Sequence, residues 1–194
     1  MTETKPIDKV LVGIRPCLLQ VLGIMELIFN NNRPPSWGKS VPWPGDDAER
    51  VSEDVASLEY SPYKAALLDQ ARQVWKLVIR RKMPAIWFIR THRPVTVLLS
   101  VICDYAEVPI TQALNGEFTE RDFYNLKMAF GSFAASPLWI CDASRPEYFQ
   151  RGLAALHTSE AITYVFCDWV LEEDELAAVD RLTRELEISF LFPK

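Results

Sequence analysis

The sequence predicts an α/β domain built on a mostly parallel sheet with helices on both faces. Short apolar runs alternate with amphipathic stretches of helical length. The runs at 85–89, 138–141 and 163–169 are strands of the kind that lie buried on both faces of a parallel sheet. Strands alternating with helices of this length require right-handed crossovers. The chain has 194 residues, of which 49% are hydrophobic and 11% aromatic, enough for one domain with a real core. Residues 1–50 read as an apolar helix and a proline-rich loop packed on or extending a core formed by residues 51–194.

Charge and cysteine usage narrow the class further. A formal net charge of −5 argues against broad, charge-driven nucleic-acid binding and leaves room only for a local basic patch. Cys17, Cys103, Cys141 and Cys167 form no C-x-x-C pair, and three of them lie inside apolar runs. Buried reduced thiols of an intracellular, cytoplasmic protein are the expectation. With two histidines, His92 and His157, no zinc or other metal site is expected.

Residues 10–29 are the most apolar stretch. Arg15, Pro16, Gln20 and Glu26 interrupt it, so a membrane span is not expected. Pro16 suits a first helical turn. Leu18, Leu22, Met25 and Phe29 share one face and Val21, Ile24 and Ile28 another, giving a helix apolar nearly all round. Such a helix is buried in its own core or covered by another copy of the chain. The prolines and glycines of residues 33–50 then impose a loop.

Residues 55–60 read as a weak strand. Ser61 can cap the next helix with Pro62 at its first position, and Leu67, Ala71, Val74 and Val78 line one face of it. Arg80, Arg81 and Lys82 complement that helix's carboxyl terminus. Ala85–Ile89 is a buried strand followed by Arg90, Thr91, His92 and Arg93. Pro94 opens a helix with Val97, Leu98, Val101, Ile102 and Tyr105 facing the core, and Asn115-Gly116 is a stop signal. Thr119 and Asp122 have capping-box spacing ahead of a helix carrying Phe123, Leu126, Phe130 and Phe133.

A strand at 138–141 ends at Asp142. Pro146 starts a helix with Phe149, Leu153 and Leu156 inward. The stretch Thr163-Tyr164-Val165-Phe166-Cys167-Asp168-Trp169 follows, a buried strand that delivers one carboxylate at its carboxyl end, where parallel sheets keep their ligand chemistry. The acidic run Glu172 to Glu175 favours a helix amino terminus, with Leu176, Val179, Leu182 and Leu186 as the buried stripe. Residues 188–192 form a last strand.

Residues 84–193 resemble the RecA-type motor domain of hexameric replicative helicases of the DnaB group. The resemblance is carried by Ile86-Trp87-Phe88-Ile89, by Leu114-Asn115-Gly116-Glu117-Phe118-Thr119-Glu120-Arg121-Asp122-Phe123, by Pro137-Leu138-Trp139-Ile140-Cys141-Asp142, and by the strand ending in Asp168-Trp169. It implies a RecA-like fold and an ATP-driven DNA motor, whose working parts can be sought one by one. A phosphate loop needs glycines so that backbone N–H groups can close around phosphates, a lysine for the outer phosphates and a hydroxyl for magnesium.

Two segments compete for that loop. Ser61-Pro62-Tyr63-Lys64-Ala65-Ala66 has the position but no glycine and no metal-binding hydroxyl. Arg33-Pro34-Pro35-Ser36-Trp37-Gly38-Lys39-Ser40 has the letters, but Pro42 and Pro44 deny it a helix amino terminus. The family's catalytic glutamate falls where this chain has Arg90-Thr91-His92-Arg93, with no carboxylate to act as base. Asp168 matches the magnesium-coordinating aspartate, yet without a phosphate loop its expected role is structural, capping a loop or pairing with Lys64 or Arg90. The last strand runs into Phe192-Pro193-Lys194 in place of a polar sensor, and the family's DNA-binding loops and arginine finger would fall beyond residue 194.

The expectation is therefore a non-catalytic, pseudo-ATPase protein without a cofactor, acting by protein–protein interaction with a replicative helicase or by self-association. The alternative is a divergent ATPase that binds ATP and Mg through Lys39, Ser40, Lys64 and Asp168. A further alternative is a nucleic-acid-binding module using Arg80, Arg81, Lys82, Arg90 and Arg93 around Trp87.

Overall fold

A computed structural model describes residues 63–115, 117–156 and 162–192, together with 11–15, 18, 19, 21, 55, 57, 58 and 61. Five strands form one sheet in the order β1-β3-β2-β4-β5: β1 (Leu11–Gly13), β2 (Ala85–Ile89), β3 (Leu138–Asp142), β4 (Tyr164–Cys167) and β5 (Ser189–Leu191). The pairs β2·β3, β2·β4 and β4·β5 are parallel, and β1 is an antiparallel edge on β3. In chain order the parallel strands read 2-1-3-4, a doubly wound order of the flavodoxin type. Its switch point, where successive connections leave β2 in opposite directions, lies between the carboxyl ends of β2 and β4.

The helices are α1 (Lys64–Val74), a π-helix (Trp75–Arg80), α2 (Pro94–Tyr105), α3 (Ile110–Asn115), α4 (Glu120–Ala134), α5 (Pro146–Leu156) and α6 (Glu173–Leu186). The chain divides into two compact units. The first takes residues 1–14, 69–94 and 136–194 and holds the whole sheet; the second takes residues 15–68 and 95–135. No helix among the described residues is long and apolar enough to cross a membrane.

In the sheet unit, β2 is buried at every position, as its uninterrupted apolar run requires. Because side chains alternate, Ile86 and Phe88 face one way and Trp87 the other. Ile86 and Phe88 join Cys141, Val165 and Cys167 in a core closed by Phe149, Leu153 and Leu156 of α5 and Val179 and Leu182 of α6. Phe88 meets Phe149 edge-on, and Phe149 meets Trp169 likewise, each at 5.1 Å between centroids. Gly152 makes that contact possible, since a Cβ there would lie 2.3 Å from Phe88 Cε1. On the opposite face Trp87 Nε1 donates to Gln70 Oε1 of α1 at 2.8 Å, so helices cover both sides of the sheet. Gln70 in turn donates to the Cys167 and Leu191 carbonyls, pinning the ends of β4 and β5.

In the second unit, α2 buries every residue from Thr96 to Cys103. Thr119 and Asp122 form the expected capping box at α4: Asp122 N donates to Thr119 Oγ1 at 3.2 Å, and Thr119 N to Asp122 Oδ2 at 2.9 Å. Leu126, Phe130 and Phe133 are buried. At the start of α1, Tyr63 N donates to Ser61 Oγ at 3.2 Å, the cap that Ser61 offers.

Several expectations are corrected. The strand expected over 55–60 is helical at Val55, Ser57 and Leu58; Val55 and Leu58 are buried three residues apart with Ser57 exposed, a helical rather than a two-residue period. The apolar stretch 10–29 opens as strand β1 before turning helical at Ile14. Its described residues bury Ile14, Leu18 and Val21 at i, i+4 and i+7 while Leu19 is 62% exposed, so it is an amphipathic helix there. Tyr105 and Leu176 are exposed, and Glu175 is buried in place of Leu176. The helix opened by Pro94 ends at Tyr105, and α3 begins anew after Pro109, which cannot supply the N–H that would continue it.

Candidate functional site

The carboxyl edge of the sheet, at the switch point between β2 and β4, collects the functional candidates of the first unit. Asp168 follows β4 directly and is 4% exposed. Its Oδ1 accepts from Arg90 N at 2.7 Å, and its Oδ2 accepts from Thr91 N at 3.2 Å and Thr91 Oγ1 at 2.5 Å. His92 Nδ1 lies 3.1 Å from the same hydroxyl. Burial pushes the Asp168 carboxyl above its ordinary value, while the three hydrogen bonds and His92 pull against that rise. A carboxylate offers about four lone-pair sites, and three are taken here by the loop that follows β2. The arrangement fastens that loop to the end of β4.

Arg90 continues the same fastening with its side chain. Its Nε donates to the Ala143 carbonyl at 3.2 Å, its Nη2 pairs with Glu175 Oε1, and its guanidinium carbon sits 4.0 Å from the centroid of Trp169. Trp169 Nε1 and Glu172 N both donate to Glu175 Oε2 at 3.1 Å. Burial pushes the Glu175 carboxyl up, but these bonds outweigh it and hold the group below its ordinary value. The Phe88–Phe149–Trp169 stack thus ends on a cation whose charge is answered by one carboxylate. Each edge-to-face pair is worth about 0.5–1.5 kcal/mol beyond burial, and the desolvated cation–π contact about as much or more. The two carboxylates at this edge, Asp168 and Glu175, are satisfied by donors of the chain itself, whereas the nearby Arg93 Nη1 is buried without a hydrogen-bond partner.

Asp168 is expected to cap a loop or to pair with Lys64 or Arg90; it accepts from the backbone of Arg90 and Thr91 and from the Thr91 hydroxyl, and the Arg90 guanidinium goes to Glu175 instead. Lys64 is the first residue of α1 and belongs to the other unit, where it lines a separate cleft. Lys39 and Ser40 lie outside the described residues, as does the rest of 33–50. Among the basic candidates, exposed Arg80, Arg81 and Lys82 precede β2 whereas Arg90 and Arg93 follow it. Five residues of strand, about 17 Å, separate the two groups, so they form two sites rather than one patch. Trp87 is fully buried and bonded to Gln70, which leaves no ring face for a nucleobase.

Sequence reasoning missed Gln70 and Glu175. Both left a signal. Gln70 is a polar residue on the buried face that Leu67, Ala71 and Val74 share, and Glu175 stands three residues after Glu172 in capping-box spacing. Cys103, Cys141 and Cys167 are buried free thiols, as expected; burial pushes Cys141 up to about 12 and Cys167 well up, which keeps both protonated and unreactive. Among the described residues no three His, Cys, Asp or Glu side chains gather as a metal site would require.

No protein-family model matches this chain, and no curated protein matches it either.

Proposed function

We propose that the chain is a non-catalytic, RecA/DnaB-like protein that acts through protein–protein interaction, its partner being a replicative helicase or a second copy of itself. The observation that carries this reading is that the carboxylates at the carboxyl edge are committed to the chain's own donors. Asp168, the residue that corresponds to a motor's magnesium ligand, spends both oxygens on Arg90 N, Thr91 N and Thr91 Oγ1. Thr91 lies in the Arg90–Arg93 segment where the resemblance places the glutamate base; its hydroxyl donates to Asp168 Oδ2, and the segment has no carboxylate to activate an attacking water. The Arg90 guanidinium stacks on Trp169, 4.0 Å from the ring centroid. With the edge committed to holding the sheet together, surfaces remain as the means of action.

Light scattering coupled to size exclusion, with and without a purified hexameric replicative helicase, tests the proposal. A complex with the helicase or a self-associated species is expected. Calorimetry with ATP and magnesium provides the opposing arm. Micromolar nucleotide binding lost in Lys39→Ala would replace this reading with that of a divergent ATPase. Salt-dependent binding to DNA without any protein complex would replace it with a nucleic-acid module.

A further inference from the structure

The outermost parallel strand of the sheet, β5, is paired on one side only among the described residues. Ser189 N donates to Thr163 O at 3.0 Å, so in the parallel ladder Ser189 and Leu191 turn their backbone groups toward β4. Gln70 Nε2 reaches the Leu191 carbonyl on that same inner side. Alternation along the strand turns the N–H and C=O of Phe190 to the outer side, where no described residue bonds them.

An open strand edge is a template for another strand, and folded chains blunt such edges with charges, prolines or bulges. From Ile188 to Phe192 this strand has no charge and no proline. Its side chains also end in an apolar rim. Phe190 and Leu186 are half-buried against the core that α5 and α6 close. Phe192, two residues on and so on the same face as Phe190, is 42% exposed. The occupant that fits this edge is an extended, uncharged, apolar segment of about the same length.

β5 itself meets that description, and the charges flanking it choose the direction. Paired antiparallel about Phe190, two copies of β5 bring Ile188 of each opposite Phe192 of the other. Glu187 then stands across from residue 193 of the other copy, beside Lys194, the first charged residue after the strand. A parallel pairing would instead bring the two Glu187 carboxylates together, which is repulsive.

We propose that a second copy of this chain docks on β5, the two strands pairing antiparallel with Phe190 on the twofold axis. At that axis the two Phe190 residues exchange both backbone hydrogen bonds and set their rings side by side. The contact is isologous and closes at two copies. It rests on the second-copy branch of the proposed function and names the surface that this branch uses.

Sedimentation equilibrium of the full chain is the test. A pairing this short falls at the small end of interfaces, so a monomer–dimer equilibrium in the micromolar range is expected. Phe192→Lys, at an exposed position, should weaken it about tenfold by setting a charge against Ile188 of the other copy. Phe190→Lys and Phe190→Glu should each weaken it about a hundredfold, because each sets like charges opposite one another at the axis. An equimolar mixture of those two should recover dimers to within about tenfold of the parent, since only a residue on the axis meets its own counterpart. Met128→Lys, exposed in the other unit, should dimerise as the parent does. A dimer indifferent to the Phe190 and Phe192 variants, a mixture that stays monomeric, or species that grow beyond two copies would each overturn the inference while leaving self-association in place. If either Phe190 variant loses its circular dichroism, Phe192→Lys decides alone, and parent-like dimerisation there overturns the inference. A parent chain monomeric up to about 1 mM overturns it together with the second-copy branch, and a helicase complex under the same conditions would leave the other branch standing.

Discussion

The carboxyl edge of the sheet and a cleft of about 300 Å³ along α2, lined by Ser100, Cys103, Asp104 and Glu107, each carry two carboxylates, and they are held in opposite ways. At the edge, Asp168 and Glu175 are 4% and 7% exposed and accept six hydrogen bonds between them, every donor coming from Arg90, Thr91, Trp169 or Glu172. At the cleft, Asp104 and Glu107 are exposed and face open volume. A carboxylate whose lone pairs are filled by its own chain holds structure together, because any ligand must first displace those donors and leave them unsatisfied. One that faces open volume has no such duty. Position in the fold marks Asp168 as the site, since it lies at the switch point. Satisfaction of its hydrogen bonds marks it as a fastener.

The sharpest way to break the edge is through the packing beneath it. Gly152→Ala would set a Cβ 2.3 Å from Phe88 Cε1 and 3.1 Å from Cys141 Sγ, against a ring that is itself fully buried. The ring cannot move without disturbing Phe149 and, through it, Trp169 and Arg90. A loss of about 3 kcal/mol or more is expected in urea unfolding, at the upper end of overpacking costs. A loss under about 1 kcal/mol would show that the stack gives way easily and that the edge is less rigid than its contacts imply.

The next comparison is direct. Asp168→Ala orphans two backbone N–H groups and a hydroxyl, and about 2–3 kcal/mol of stability should go with it, even though a desolvated charge is relieved. Asp104→Ala removes an exposed group to which no donor is found among the described residues, and its effect should stay within about 0.5 kcal/mol. Parallel urea titrations of the two variants measure the difference. Equal losses would abolish the distinction between fastener and open carboxylate.

The middle of the sheet was legible because β2 buries both faces and carries no polar interruption: β2 was read to the residue and β3 to within one, while β4, expected to run from Thr163 to Trp169, spans Tyr164 to Cys167. The error at 55–60 arose where burial of Val55 and Leu58 was not enough to separate a period of three from a period of two in so short a run. Asp168 was legible as the residue of interest because chain order alone puts it at a strand's carboxyl end. Its donors were not, since they are the backbone of Arg90 and Thr91, and a backbone N–H has no signature in sequence. Glu175 was hidden inside an acidic run whose other members are exposed and serve only the start of α6. The cleft had no motif at all: its stripe comprises a serine, a cysteine and two acids, and only the left-handed turn at Glu107 makes a corner of it.

The two edge carboxylates also differ from each other, and pH can separate them. Glu175 is held below its ordinary 4.5, so the stability it contributes is present above that value and is lost as pH falls through its lower folded value. Asp168 is raised above its ordinary 3.8, so its contribution has the other sign: present below that value and lost as pH rises through the folded one. Lowering pH from about 7 should therefore first bring a small gain as Asp168 takes up a proton, then a loss once Glu175 does. Glu175→Gln keeps the shape but weakens the Arg90 pair, costing about 1–2 kcal/mol near neutral pH, and should flatten the acid loss. Asp168→Asn should remove the gain and leave the acid loss in place. Urea midpoints taken across that range by far-ultraviolet circular dichroism resolve both limbs. If Glu175→Gln left the acid limb as steep as in the parent, the loss would belong to other carboxylates, and the Arg90–Glu175 pair would be an adornment of the clamp rather than half of it.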